Sequence, residues 1–194
     1  MELVIIKYNA GNIQSVLYAL ERIGKQAVVT DDIEQIQKAG KVIFPGVGEA
    51  SSAMKYLKEK NLDQIIRHLE QPVLGVCLGM QLLCSTSEEN DTTCLGIVPV
   101  RVKKFGEANL KIPQIGWNSI YNLKSDLFAG VADKSYIYNV HSYYAEKSDY
   151  TIATCNYGID YAAAIKKDNF YGVQFHTEKS AGIGETILKN FISL

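Results

Sequence analysis

One-sided charge is missing from this sequence. Its 20 Lys+Arg stand against 21 Asp+Glu, a formal net charge of −1 with histidine neutral, and this excludes the basic excess that marks a nucleic-acid footprint. The longest basic cluster, Arg101-Val102-Lys103-Lys104, is interrupted by an apolar residue and reads as a solvated strand face. Long apolar runs are missing too: none approaches the ~20 residues that span a bilayer, so no membrane partner is expected. The chain opens on Met1-Glu2-Leu3-Val4-Ile5-Ile6 with no basic region before these residues and no small-residue cleavage site after them. No secretory signal is visible, and a cytoplasmic location is expected.

Cysteine and histidine are scarce. The four cysteines, Cys77, Cys84, Cys94 and Cys155, form no Cys-x-x-Cys pair, which excludes a disulfide scaffold and leaves reduced thiols as the expectation. The three histidines, His68, His141 and His176, lie more than four residues from one another and from any cysteine, so a structural zinc site has little support. Neither the Walker pattern nor a strand-linked Gly-x-Gly-x-x-Gly is present. No metal or cofactor is expected, and any special chemistry falls to single residues.

What is present is alternation. The first 85 residues pass between short apolar runs and helical patterns, the signature of a parallel sheet with crossover helices. Strands are expected at 2–7, 26–30, 41–44 and 73–76. Asn12 is expected to cap a helix whose Ile13, Val16, Leu17, Leu20 and Ile23 follow the 3.6 period and stop at Gly24. Asp31 or Asp32 opens a short helix, and helical patterns cover 49–60 and 62–69. From Gly96 to Phe175 the period shifts toward strands, at 97–105, 117–123, 136–140, 150–155, 161–166 and 170–175. A closing helix at 182–194 carries Ile183, Ile187, Leu188 and Phe191 on one face. The predicted fold class is α/β, an open, mixed, largely parallel central sheet flanked by helices, with additional antiparallel strands in the second half. The gaps are short enough for one domain over 1–194.

The sharpest local signal is Gly75-Val76-Cys77-Leu78-Gly79, between an expected strand and the helical run 78–85. A nucleophile elbow needs this layout: the reactive atom projects from a strained strand-to-helix turn, and glycines two residues to either side permit close backbone approach. The helix N-terminus beneath Cys77 places partial positive charge near its sulfur, which favours a nucleophile; an inert buried cysteine is the competing reading. Cys84, two turns along the same helix, reads as core packing.

A cysteine nucleophile needs a base, and the base needs an orienting group. His68, among Arg67 and Glu70, reads as part of a solvated helix face. His141, in His141-Ser142-Tyr143-Tyr144, is structural or lines a pocket. His176 ends the apolar stretch Tyr171 to Phe175, and Glu178 follows two positions later. In extended geometry both side chains point to the same side, where the carboxylate can accept one imidazole N–H. Both Cys77 and His176 sit at strand ends, where open α/β sheets bind ligands. Pro45-Gly46-Val47-Gly48, at the end of the third expected strand, offers backbone N–H groups for an oxyanion, with an ordinary turn as the alternative. Leu78 can supply a second N–H.

With these residues the chain resembles the class I glutamine amidotransferases, and among them the glutaminase subunits of imidazole glycerol phosphate synthases. The resemblance covers essentially the whole chain. Besides the elbow and the His-x-Glu pair it rests on Tyr8-Asn9-Ala10-Gly11-Asn12-Ile13-Gln14-Ser15-Val16, Pro45 to Gly48, Met80-Gln81-Leu82-Leu83, Pro113-Gln114-Ile115-Gly116-Trp117-Asn118, Val140-His141-Ser142-Tyr143-Tyr144 and Gln174-Phe175-His176-Thr177-Glu178-Lys179-Ser180. Thr177 stands where the family usually has proline, Gln114 where it commonly has histidine, and Asn9 replaces a usual glycine.

The resemblance implies a Cys77, His176, Glu178 triad that hydrolyses L-glutamine to glutamate and ammonia through a thioester, without a cofactor. It implies backbone donors at Val47 and Leu78 for the oxyanion, and Gly48, Gln81, Glu89, Ser142 and Tyr143 around the bound glutamine. It also implies a (β/α)8-barrel cyclase subunit as heterodimer partner, with Asn12, Trp117, Tyr138 and Lys179 at the interface; a buried core tryptophan is the alternative for Trp117. A related subset of such subunits serves surface-sugar amidation, and a partner-independent Cys hydrolase of the same architecture is the remaining alternative.

Overall fold

The computed structural model describes residues 2–9, 12–106 and 110–194. Ala10 and Gly11 of the near-N-terminal motif lie outside the described residues. The first half runs β1 (Leu3–Ile6), α1 (Ile13–Arg22), β2 (Val28–Thr30), α2 (Ile33–Lys38), β3 (Lys41–Phe44), α3 (Ala50–Glu59), α4 (Leu62–Arg67), β4 (Val73–Val76) and α5 (Leu78–Leu83). The second half runs β5 (Thr86–Ser87), β6 (Thr92–Thr93), β7 (Arg101–Lys104), β8 (Gln114–Tyr121), β9 (Tyr136–His141), β10 (Tyr143–Ala145), β11 (Thr151–Tyr157), β12 (Ile159–Lys167), β13 (Phe170–Val173) and α6 (Ala181–Ser193).

Strands β2, β1, β3, β4 and β13 pair in parallel in that order. Successive residues of a strand face opposite sides of the sheet, and the continuous apolar runs serve two cores at once. Leu3, Ile5 and Ile43 join Val16 and Leu20 of α1 and Ile187, Leu188 and Phe191 of α6 on one face. Val4, Ile6, Val42 and Phe44 join Ile36 of α2, Met54 and Leu57 of α3, and Ile66 of α4 on the other. This is why those strands read as unbroken hydrophobic runs rather than alternating ones. Beyond β13 the pairing turns antiparallel through β12 and β11, and β8 and β9 form a hairpin joined to β11.

The expected α/β class, the mixed sheet and its antiparallel extension are all present. Several local expectations need correction. The strand expected at 97–105 is reduced to β7, because Ile97, Val98 and Val100 are core contacts, with Val98 N–H bound to the Leu83 carbonyl at 2.9 Å. The strand expected at 117–123 starts earlier, at Gln114, in register with His141. The short hairpin of β5 and β6 and the strand β10, which pairs with β7, were not expected at all. Asp32 rather than Asp31 caps α2, its carboxylate accepting the Gln35 N–H at 2.9 Å. Asn12 precedes α1 in the left-handed region (φ 75°) without a side-chain cap bond; its amide is used elsewhere.

Candidate active site

Strands β3, β4 and β13 are parallel neighbours, so their C-terminal ends meet at one edge of the sheet. There they deliver Val47 and Gly48 of the Pro45–Gly48 loop, Cys77 and His176 to the wall of one cavity of about 290 Å³. Cys77 sits at φ 53°, ψ −109°, a strained backbone that turns the chain abruptly from β4 into α5. Its amide is fixed to the Val173 carbonyl at 2.8 Å. The flanking glycines are there for space. A Cβ on Gly79 would lie 1.8 Å from the Phe44 carbonyl oxygen, and one on Gly75 would lie 2.8 Å from the Gly79 backbone.

His176 and Glu178 are both buried, and Nδ1 lies 2.7 Å from Glu178 Oε1. Strand alternation is not what aligns them. His176 is the last extended residue, and Thr177–Lys179 form a 3₁₀ turn that brings the carboxylate back to the ring. Thr177 therefore occupies the first position of a helical turn, where a proline is readily accommodated, and not an extended position. Cys77 shares the cavity wall with His176 and is close enough for its charge to act on the ring, while its thiol donates to the Val140 carbonyl at 3.8 Å. Burial disfavours the imidazolium, but the nearby Cys77 and the hydrogen bond and charge of Glu178 outweigh it and raise the His176 pKa to about 10. Cys77, His176 and Glu178 thus meet at one place, with the histidine held by the carboxylate.

Three further residues belong to this group, and sequence reasoning did not give them these roles. Asn12, expected at an interface, donates Nδ2 to the same Glu178 Oε1 at 2.5 Å. Arg22 Nη2 donates to the Glu178 backbone carbonyl at 3.3 Å. Gln174, fully buried, directs its amide at the Cys77 sulfur at 3.8 Å. The available signal for Gln174 was its place just past β13, beside the end of β4. His141 lines the cavity with Nδ1 2.8 Å from the Tyr143 carbonyl and Nε2 3.3 Å from the Tyr161 hydroxyl. Burial lowers its pKa to about 4, with the neighbouring His176 charge acting in the same direction. His141 is therefore a neutral, structurally committed ring at neutral pH. His68 is exposed, as its helix face implied.

The residues expected around a ligand, Gly48, Gln81, Glu89, Ser142 and Tyr143, all line the cavity, as do Val47, Leu78 and Lys179. Two are more constrained than expected. Both amide protons of Gln81 are engaged, by the Tyr143 carbonyl at 2.9 Å and Gln174 Oε1 at 3.0 Å. What Gln81 can offer a ligand is its carbonyl oxygen, which suits an N–H donor rather than a carboxylate. Glu89 Oε2 accepts the Ala50 N–H at 2.7 Å, leaving Oε1 for a cation. Burial raises the Glu89 pKa, the Ala50 N–H opposes the rise, and Glu49 adds to it. Leu78, expected to point an N–H at an oxyanion, instead donates it to the Gly46 carbonyl at 3.2 Å. In this conformation the protein's own peptide occupies the Leu78 N–H expected to face an oxyanion.

On the rim, Trp117 is 54% exposed, which settles against a core role. It meets Tyr138 edge-on at 5.7 Å between ring centroids. Ile115 and Tyr136 are also exposed, and the β8–β9 register places Tyr138 opposite Trp117 and Tyr136 opposite Ser119. Lys179 is exposed beside them in the turn that carries Glu178. Among the described residues no group of His, Cys, Asp and Glu could hold a metal ion, and no helix is long and apolar enough to cross a membrane.

Comparison with known proteins accords with this geometry. Residues 4–194 match the family model described as glutamine amidotransferase class-I. The chain is 54% identical to the imidazole glycerol phosphate synthase subunit HisH of Bacteroides fragilis, over 100% of both chains. It is 50% identical to that of Bacteroides thetaiotaomicron over 100% of both. With that of Shewanella loihica it shares 49% identity over 98% of this chain and 90% of the relative. Among solved structures, a glutamine amidotransferase shares the fold at TM-score 0.75 and 14% identity, covering 98% of this chain and 97% of that one. PurLQS from Thermotoga maritima does so at TM-score 0.70 and 15% identity, covering 99% and 97%. An elbow cysteine, a carboxylate-held histidine and a full-length match together lead to one assignment: the chain belongs to the class-I glutamine amidotransferase family.

Proposed function

We infer that this chain is the glutaminase subunit of an imidazole glycerol phosphate synthase, one cytoplasmic domain that hydrolyses L-glutamine and passes the ammonia to a (β/α)8-barrel cyclase for histidine biosynthesis. The observation that carries the reading is the meeting of Cys77, His176 and Glu178 at the cavity wall. The shared name of the relatives supports the histidine branch over surface-sugar amidation.

In this reading the Cys77 sulfur attacks the side-chain amide carbon, and His176, protonated at the outset by its raised pKa, gives its proton to the departing ammonia. The thioester remains on Cys77. His176 then takes a proton from water as the water attacks the thioester, and glutamate leaves with the sulfur regenerated. Glu178 holds Nδ1 throughout, steadied by Asn12. Glu89 Oε1 receives the α-ammonium, and Gly48, Gln81, Ser142 and Tyr143 shape the remaining wall.

In this reading the Leu78–Gly46 bond keeps the oxyanion donors occupied in the free subunit. Rotation of the Gly46–Val47 peptide withdraws the carbonyl from Leu78, frees that N–H and turns the Val47 N–H inward. Both donors then face the oxyanion, where one such donor is worth about 10²–10³ in rate. The face of exposed Ile115, Trp117 and Tyr136 and half-buried Tyr138, with Lys179, supplies the aromatic and basic docking surface for the cyclase.

The test is substitution of the nucleophile in the assembled complex. Cys77→Ala lowers glutamine-dependent turnover by about 10³-fold or more, while turnover with added ammonium salt is retained. Retention of glutamine-dependent activity overturns the assignment.

A further inference from the structure

We propose that Tyr8 and Asn90 are positioning residues that pin the two ends of the oxyanion loop, so that the Gly46–Val47 peptide turns between fixed points. The proposal rests on the glutaminase reading above and goes beyond the family's site residues to the parts that hold the loop.

The upstream end is held from β1. Tyr8 is buried, its ring packs on Phe44 at 5.2 Å, and its hydroxyl donates to the Pro45 carbonyl at 2.5 Å. This bond joins residues 37 positions apart and fixes the peptide immediately before Gly46. The downstream end is the start of α3, whose preceding residue Glu49 makes no side-chain cap bond. The cap comes instead from the turn at Glu88–Asp91. Glu89 Oε2 accepts the Ala50 N–H at 2.7 Å, while Asn90 Nδ2 donates to Glu49 Oε1 and, at 3.3 Å, to Ser51 Oγ. Asn90 and Asp91 are both left-handed, at φ 52° and 46°, a conformation that non-glycine residues adopt at a cost and that Asn and Asp tolerate best. The turn is thus shaped to reach α3.

Four residues, Gly46 to Glu49, separate the Pro45 and Ala50 anchors, and the carbonyl of the first of them, Gly46, holds the Leu78 N–H. With both ends fixed, a peptide rotation leaves the Cα atoms in place and delivers the Val47 N–H at a defined point. With either end loose, the loop can shift as a body, and the donor arrives misplaced. Catalysis is sensitive to errors of about 1 Å in such placement. Asn90 adjoins Glu89, so the residue that receives the α-ammonium and the clamp on the loop share one turn.

The experiment compares Tyr8→Phe, Asn90→Ala and Cys77→Ala in the complex with the barrel cyclase. It reads glutamine kcat and KM, and the rate at which iodoacetamide alkylates Cys77, a reaction that needs the sulfur and access to it but no oxyanion donor. Tyr8→Phe and Asn90→Ala are each expected to lower kcat about tenfold while KM and the alkylation rate stay within about twofold. Wild-type kcat in both variants overturns the proposal, as does a parallel loss of kcat and alkylation, which marks general distortion of the site. Asn90 is exposed, so its variant decides the matter if Tyr8→Phe does not fold. If Cys77→Ala keeps glutamine turnover, the glutaminase reading itself fails; if Cys77→Ala is inactive and the other two are wild type, this inference alone fails.

Discussion

Two buried imidazoles share the cavity wall and titrate in opposite directions. His176 is raised to about 10 because, against the pull of burial, Cys77 and Glu178 both favour its cation. Its contribution to stability is full below the unfolded value near 6.5 and is lost as pH rises through about 10. His141 is lowered to about 4, chiefly by burial. The unfolded chain takes up that proton first as pH falls below 6.5, so stability is full above this value and is lost toward pH 4, by about 3 kcal/mol over the window. His141→Gln removes this titration. Denaturant unfolding at pH 7 and pH 4.5 is expected to show a smaller acid loss for the variant than for the wild type, by about 2 kcal/mol; an equal loss contradicts the assignment of His141 as a buried neutral ring. That Cys77 and the His-x-Glu pair would meet was legible because their residue types and spacing suit that chemistry. The amide of Asn12 on Glu178 and that of Gln174 on the sulfur were not, since each joins segments 97 or more positions apart.

Elements set these contacts through the close approach of β3, β4 and α5. Gly79 lets the first turn of α5 pass against the end of β3, and a Cβ there meets the Phe44 carbonyl oxygen at 1.8 Å. Gly79→Ala is expected to cost about 3 kcal/mol of stability and to displace Cys77, because backbone rather than a movable side chain stands in the way. Gly182, in α6, has nothing within 4 Å of its would-be Cβ, and Gly182→Ala is expected to stabilise by about 0.5 kcal/mol. Unfolding both in denaturant checks the contrast, and equal effects contradict it. The long periodic elements were readable because burial on one or two faces imposes a period. The β5–β6 hairpin was not, since two-residue strands are too short to show one. The strand β10 was hidden behind Ser142, where pairing passes from β8 to β7.

At the scale of the whole molecule, the active-site edge of the sheet and the exposed aromatic hairpin lie together. The 3₁₀ turn bearing Glu178 also bears Lys179, so a partner seated on Trp117, Tyr138 and Lys179 would contact the backbone that carries Glu178. Trp117→Ala is expected to leave unfolding stability within about 0.5 kcal/mol of wild type. It is expected to weaken cyclase binding by about 2 kcal/mol, roughly thirtyfold in Kd by titration calorimetry; unchanged affinity removes this face from the interface. The α/β architecture and the meeting of Cys77, His176 and Glu178 at one cavity were legible in the sequence. The Leu78–Gly46 bond was not, because the orientation of the Gly46–Val47 peptide is a matter of conformation that two glycines leave open.

The claim on which all of this depends is that glutamine is cleaved through a covalent bond to Cys77. Acid quenching of the assembled complex during turnover with glutamine, followed by intact-mass and peptide mass spectrometry, tests it directly. The account predicts a γ-glutamyl adduct on the peptide containing Cys77, formed and lost at the rate of glutamate release and absent from Cys77→Ala. Glutamate release at the full rate with no adduct, or an adduct on Cys84, Cys94 or Cys155, contradicts it.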